Sequence, residues 1–257
     1  MNPVPLTWRL LTAEELTKVY LDEMRRDFPQ SELKPLSMIL NSEAAGTAHT
    51  WGIYDGDALA AYLLMVRPVG CAMSQLDYFA VLPRYRASGL GAALLAELPG
   101  HENGCQAILI EAECPEKAED EAMAVRRLGF YARCGAVDVG WTEHLFDAWF
   151  RVLVLPCGRT TPDAETTVQG LADCYRRTMG DPQWKKHVTF YRPGWGRSPV
   201  LTKVCIQTVP PASAPCGGGR LFTKKRRLTE RKNMGILGIG IICRVPAWAQ
   251  INRRKKQ

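Results

Sequence analysis

Residues Leu76–Leu95, LDYFAVLPRYRASGLGAALL, decide how this chain of 257 residues folds. The first part reads as a strand, which takes in Cys71–Val81. A short basic loop with two spaced glycines follows, Arg86-Ala87-Ser88-Gly89-Leu90-Gly91, and then an apolar helix. A glycine loop that opens a helix turns several unpaired backbone N–H groups toward one point. The positive end of the helix dipole faces the same point, so a phosphate fits there. Gly89 and Gly91 let backbone approach a diphosphate, and Arg84 and Arg86 would add charge at the rim.

Outward from this stretch, Leu6–Thr12 reads as a first strand and Ala13–Arg26 as an amphipathic helix capped by Thr12, with Leu16, Val19, Tyr20 and Met24 on its buried stripe. Pro35–Leu40 suits a short helix. Trp51–Tyr54 and Ala58–Val66, joined by Asp55-Gly56-Asp57, form a hairpin. The helix after the glycine loop is expected to stop at Pro99-Gly100. Ala107–Glu111 is a buried strand, a helix runs from Pro115 to Cys134, and Trp141–Phe146 and Ala148–Leu155 are strands. Leu171–Met179 is helical. From about residue 193 no periodic stripe survives, so 193–257 is expected to be a basic linker and disordered tail.

Two phosphorylated cofactors compete for the loop. A dinucleotide site is suggested by Gly89-Leu90-Gly91 after a strand and by Glu111 about 20 residues on. Against it, Leu94 stands where a third small residue belongs, and Pro83–Arg86 separates strand from glycine. The other candidate is acetyl-CoA. Ala80-Val81-Leu82-Pro83 followed by Arg86–Gly91 resembles the pyrophosphate loop of the GNAT acetyltransferase superfamily, Arg/Gln-x-x-Gly-x-Gly/Ala. Tyr131-Ala132-Arg133-Cys134-Gly135, preceded by Phe130, resembles that family's second signature. Ala136 replaces the usual aromatic, and Ala124 replaces an Asn that often contacts cofactor.

The resemblance covers about residues 5–155. It implies an α/β (α+β) fold with a mixed, mostly antiparallel sheet flanked by helices and acetyl-CoA in a splayed strand pair. The domain would span 1–155, with a helical extension over 156–192 packing on it. Acetyl-CoA would be the acyl donor, held by the backbone of Phe79, Ala80 and Val81 and, at its diphosphate, by Arg86, Ala87, Ser88, Gly89, Leu90 and Gly91. The acceptor would be a primary amine that attacks the thioester directly. Tyr131 would be the general acid for the departing thiolate. A phenol suits this because the two unperturbed pKa values lie within about two units.

Glu111 and Glu113, two apart on a strand and so on one face, are candidates for general base. Asp77 is a weaker one. Trp141 and His144 lie in a strand that lines the acceptor pocket in this family. Arg126 and Arg127 read as a solvated helix face within reach of a phosphate.

The nine cysteines (71, 105, 114, 134, 157, 174, 205, 216 and 243) form no CxxC pair, so neither a disulfide framework nor a metal site is expected. No run of 18 apolar residues or secretory leader is read, and a cytoplasmic location is expected. Residues 206–257 hold twelve Lys or Arg against one acid, Glu230, which leaves the rest mildly acidic. Such a tail would attract nucleic acid or an anionic surface. A nucleic-acid-associated protein with a vestigial CoA-binding domain, and a nicotinamide-dinucleotide enzyme, are therefore the alternative readings.

Overall fold

A computed structural model describes residues 6–30 and 32–192. The basic tail expected over 193–257 lies outside the described residues.

Among the described residues, eight strands make one sheet in the order β1-β2-β3-β4-β5-β7-β6-β8. They are β1 (Thr7–Leu10), β2 (Ala48–Asp55), β3 (Ala58–Val66), β4 (Ser74–Val81), β5 (Ala107–Glu113), β6 (Val137–Leu145), β7 (Ala148–Pro156) and β8 (Val188–Tyr191). Every neighbouring pair is antiparallel except β4–β5, which is parallel and pairs at only two positions, Ser74↔Ile108 and Gln75↔Leu109. A parallel pair requires a crossover, and it is supplied here by α4 (Leu90–His101).

Both faces of the sheet are covered, which explains why β3 and β4 read as nearly continuous apolar runs. On β3, Ala61, Leu63 and Met65 pack toward α4 and α5 (Glu121–Arg133). Tyr62, Leu64 and Val66 pack toward the first helical layer. That layer is α1 (Ala13–Val19), a π-helical stretch (Tyr20–Met24), α2 (Arg25–Asp27) and α3 (Leu36–Ala44). On β4 an extra residue, Asp77, bulges out, because Met65 pairs with Leu76 while Leu64 pairs with Tyr78. A third cluster lies between β5–β7 and α6 (Ala164–Met179). After α6, α7 (Asp181–His187) leads into β8, which pairs with β6.

Capping explains where the helices begin. Thr12 and Glu15 form a reciprocal capping box on α1. The expected helix from Pro115 is instead a 3₁₀ turn (Pro115–Lys117), and α5 starts only at Glu121, where Asp120 Oδ1 accepts from Met123 N at 2.9 Å. Likewise Asp163 caps Thr166 N at 2.7 Å and starts α6 seven residues before the apolar stripe suggests. α4 continues through Pro99 to His101, so the helix carries a proline in its last turn, where one N–H is lost and only a few residues follow.

Candidate active site

The glycine loop leaves β4 through a 3₁₀ turn, Pro83–Tyr85. Ala87 and Gly89 both take positive φ, 61° and 83°. A Cβ built on Gly89 meets nothing within 4 Å, so glycine is needed there for its backbone angle and not for space. Ser88 Oγ donates to Tyr85 O at 2.6 Å and accepts from Leu90 N at 3.3 Å. The amides of Ala87, Ser88, Gly89 and Gly91 find no acceptor among the described residues. They open the N-terminus of α4, where an anion is favoured.

A rim position is expected for both arginines of the loop, and Arg86 departs from it. Arg86 turns inward: its Nε donates to Val81 O at 2.8 Å, and its Nη2 pairs with buried Asp27 at 3.0 Å. It ties the loop to the end of β4 and to α2. Arg84 remains outside, with its guanidinium 4.7 Å from the centre of the Tyr85 ring.

Beside the loop the sheet opens. Beyond Gln75 no residue of β4 pairs with β5, so Phe79, Ala80 and Val81 pair with β3 on one edge only. Tyr131 lies on the α4–α5 side of this gap, almost wholly buried in the cluster that holds Phe79, Val81, Ala112 and Ala136.

The two glutamates of β5 part company. Glu111 is buried against α6, where it accepts from Gln75 Nε2 (2.6 Å) and Tyr175 Oη (2.7 Å). Burial raises its pKa, and hydrogen bonds from Glu143, Tyr175 and Gln75 partly offset the rise. Glu113 pairs with Arg127 of α5 at 3.1 Å, so that arginine is held by a carboxylate and is not a solvated face. Asp77, at the bulge, pairs with Lys34 at 2.6 Å; burial raises its pKa against the pull of the lysine. His144 sits 4.5 Å from the Trp149 ring centre, its pKa lowered by partial burial. Trp141 lies under the Arg192 guanidinium.

Gln75, Glu143 and Tyr175 complete the polar network, and the sequence reading passed over all three. A signal existed for two. Glu143 is an acid between Trp141 and Leu145, on the apolar phase of its strand, and Tyr175 lies on the stripe of Val168, Leu171 and Ala172, where a buried hydroxyl needs a partner.

Residues 11–135, which run from the end of β1 to the turn after α5, match the family model of the GNAT family of acetyltransferases. They form a GNAT acetyltransferase domain. Its fold agrees with that of a solved structure. A protein of Bacteroides thetaiotaomicron assigned to the GNAT family superimposes with a TM-score of 0.53 at 21% identity, over 68% of this chain and 99% of that one. A GNAT-family protein of Desulfovibrio desulfuricans gives a TM-score of 0.46 at 20% identity, over 60% and 100%. The ribosomal-protein-S18-alanine N-acetyltransferase of Escherichia coli gives 0.44 at 19% identity, over 61% and 97%. None of the curated protein sequences matches the chain. Among the described residues, no helix is long and apolar enough to cross a membrane. β6, β7, β8 and α6 lie outside the residues that match the GNAT family, and so therefore do Glu143 and Tyr175.

Proposed function

We propose that the GNAT domain moves an acetyl group from acetyl-CoA to a primary amine by direct attack. One observation carries the reading: a helix N-terminus with four unpartnered amides stands beside a strand pair that separates after two positions. The amides of 87–91 hold the diphosphate, and the open edge of Phe79–Val81 takes up the amide groups of pantetheine. The thioester then reaches the level of Glu111 and Tyr131, which lie on opposite faces of the sheet.

The amine enters in its neutral form and sheds one proton as it attacks. Its nitrogen bonds to the carbonyl carbon, and Glu111 takes the proton. The C–S bond breaks, the thiolate takes a proton from Tyr131, and solvent returns the proton from Glu111 to Tyr131. Glu111 suits the base role better than Glu113, because an arginine holds the Glu113 carboxylate against α5. Asp77 is held by Lys34 in the same way.

The test is calorimetric titration of acetyl-CoA, CoA and NAD into the full chain and into Gly89→Glu. The expected result is binding of acetyl-CoA and CoA that the variant loses, with no heat from NAD. A folded chain that ignores acetyl-CoA, or prefers NAD, overturns the reading. The excess of Lys and Arg in 206–257 supports a second proposal, capture of polyanions. Binding of RNA that weakens steeply with salt and disappears when 206–257 is removed would support it.

A further inference from the structure

One member of the buried network is not used by the transfer just described. Glu143 of β6 is fully buried. Glu111 and Glu143 stand on the two strands that flank β7, in register with Val152 and Phe150 respectively. Phe150 and Val152 lie two apart on one face of β7, the face covered by α6, so both carboxyls stand on that face within the same apolar cluster.

What surrounds the two carboxyls differs. Glu111 receives hydrogen bonds from Gln75 of β4 and Tyr175 of α6. Neither oxygen of Glu143 receives one from any described residue, and no described cation pairs with it. The other charged group near the network is Asp77 of β4, which is paired with Lys34 at 2.6 Å and whose charge still pushes the Glu111 pKa up. β7 contributes only Phe150 and Val152.

A carboxylate with neither donor nor cation, out of water, is far less favourable than the neutral acid. Two adjoining buried carboxyls cannot both ionise, so one proton stays with the pair. The donors decide where it sits. Glu111 has two and carries the charge; Glu143 has none and keeps the proton. Burial and the Glu111 charge act in the same direction, holding Glu143 well above the ordinary carboxylate range.

We infer that Glu143 is a positioning residue for the base: a neutral acid whose O–H hydrogen-bonds the Glu111 carboxylate and leaves it the single anion presented to the acceptor amine. The inference rests on the reading of Glu111 as base. Glu143 keeps its own proton through the reaction and touches no substrate.

Infrared difference spectra of the full chain at pH 7, wild type against Glu143→Gln and Glu111→Gln, test the protonation state without any turnover. A protonated-carboxyl C=O band is expected in the wild type, lost in Glu143→Gln and kept in Glu111→Gln. No band, or a band lost only in Glu111→Gln, overturns the inference. A band present with no acetyl transfer to any amine counts against the transferase reading and leaves the protonation of Glu143 standing. The second arm is the pH profile of kcat/KM. Without the Glu143 hydrogen bond the Glu111 pKa rises, so in Glu143→Leu the acidic limb should move up by about one pH unit. Glu143→Gln, whose amide also donates, should restore it. A loss of activity equal at every pH, with no movement of the limb, overturns the positioning role. Should Glu143→Leu fail to fold, the isosteric Gln variant and the infrared band still decide the matter.

Discussion

Glu111→Gln removes the proposed base but keeps a group that can bond Gln75 and Tyr175. Acetyl-CoA affinity should hold within a small factor while kcat falls by about 10²–10⁴-fold, measured by steady-state kinetics beside calorimetry. Tyr131→Phe should likewise spare binding and lower kcat if the phenol protonates the thiolate. The pH dependence of stability gives a separate check. The folded pKa of Glu143 is raised, so its contribution is complete below the ordinary carboxylate range and is lost as pH rises toward the folded value. Glu143→Gln does not titrate. Its melting temperature, measured relative to wild type, should therefore climb from pH 4 to pH 8; a constant difference would show that Glu143 does not change protonation on unfolding. At this scale the positions of Gly89 and Gly91 at the start of α4, and of Tyr131 near the end of α5, were legible because local spacing carries them. The inward turn of Arg86 was not, since Asp27 lies 59 positions away in sequence and nothing in the loop points to it. The split between Glu111 and Glu113 was equally hidden: alternation sets a face, and only the packing of α5 and α6 supplies Arg127 and Tyr175.

Among the elements, the loop–α4 unit separates conformation from space. Gly89→Ala adds a methyl group with room around it but at φ 83°, so it should cost roughly 1–2 kcal/mol in denaturant unfolding. It should also weaken acetyl-CoA binding by disturbing the amide cradle. Gly170 of α6 is the opposite case. A Cβ there would meet Met73 Sδ at 2.7 Å, so α6 lies close on the sheet because this position is small. Gly170→Val should destabilise the fold by about 1–3 kcal/mol through overpacking, readable as an earlier urea midpoint. β2, β3, β4 and the crossover helix were legible from short apolar runs, the Asp-Gly turn and glycine placement. The starts of α5 and α6 were less so: Pro115 suits a first helical position but opens only a 3₁₀ turn, and Asp163 caps α6 well ahead of the apolar stripe that draws the eye. α7 and β8 carry too few apolar positions for a period to show.

For the molecule as a whole, the mixed sheet followed from one crossover among hairpins, and the GNAT motifs oriented it. What the sequence did not disclose is that the polar network is assembled from four distant elements, β4, β5, β6 and α6. A chain ended after Arg192 retains all of them and should bind acetyl-CoA as the full chain does in calorimetry. A chain ended after Met179 lacks β8, which pairs with Thr142–Leu145 of β6. It should melt lower and associate through the uncovered edge, seen as larger species in size-exclusion chromatography.

The two short rungs between β4 and β5 have a mechanical corollary. Across them β1–β4 and β5–β8 are two panels of one sheet, joined by a seam at Ser74–Gln75 and Ile108–Leu109 and unlaced above it. A ligand threaded through the opening would act as the missing lacing. Amide hydrogen exchange should then slow at Phe79–Val81 and 110–112 when acetyl-CoA is added, while the β2–β3 hairpin, already laced on both sides, should exchange as before.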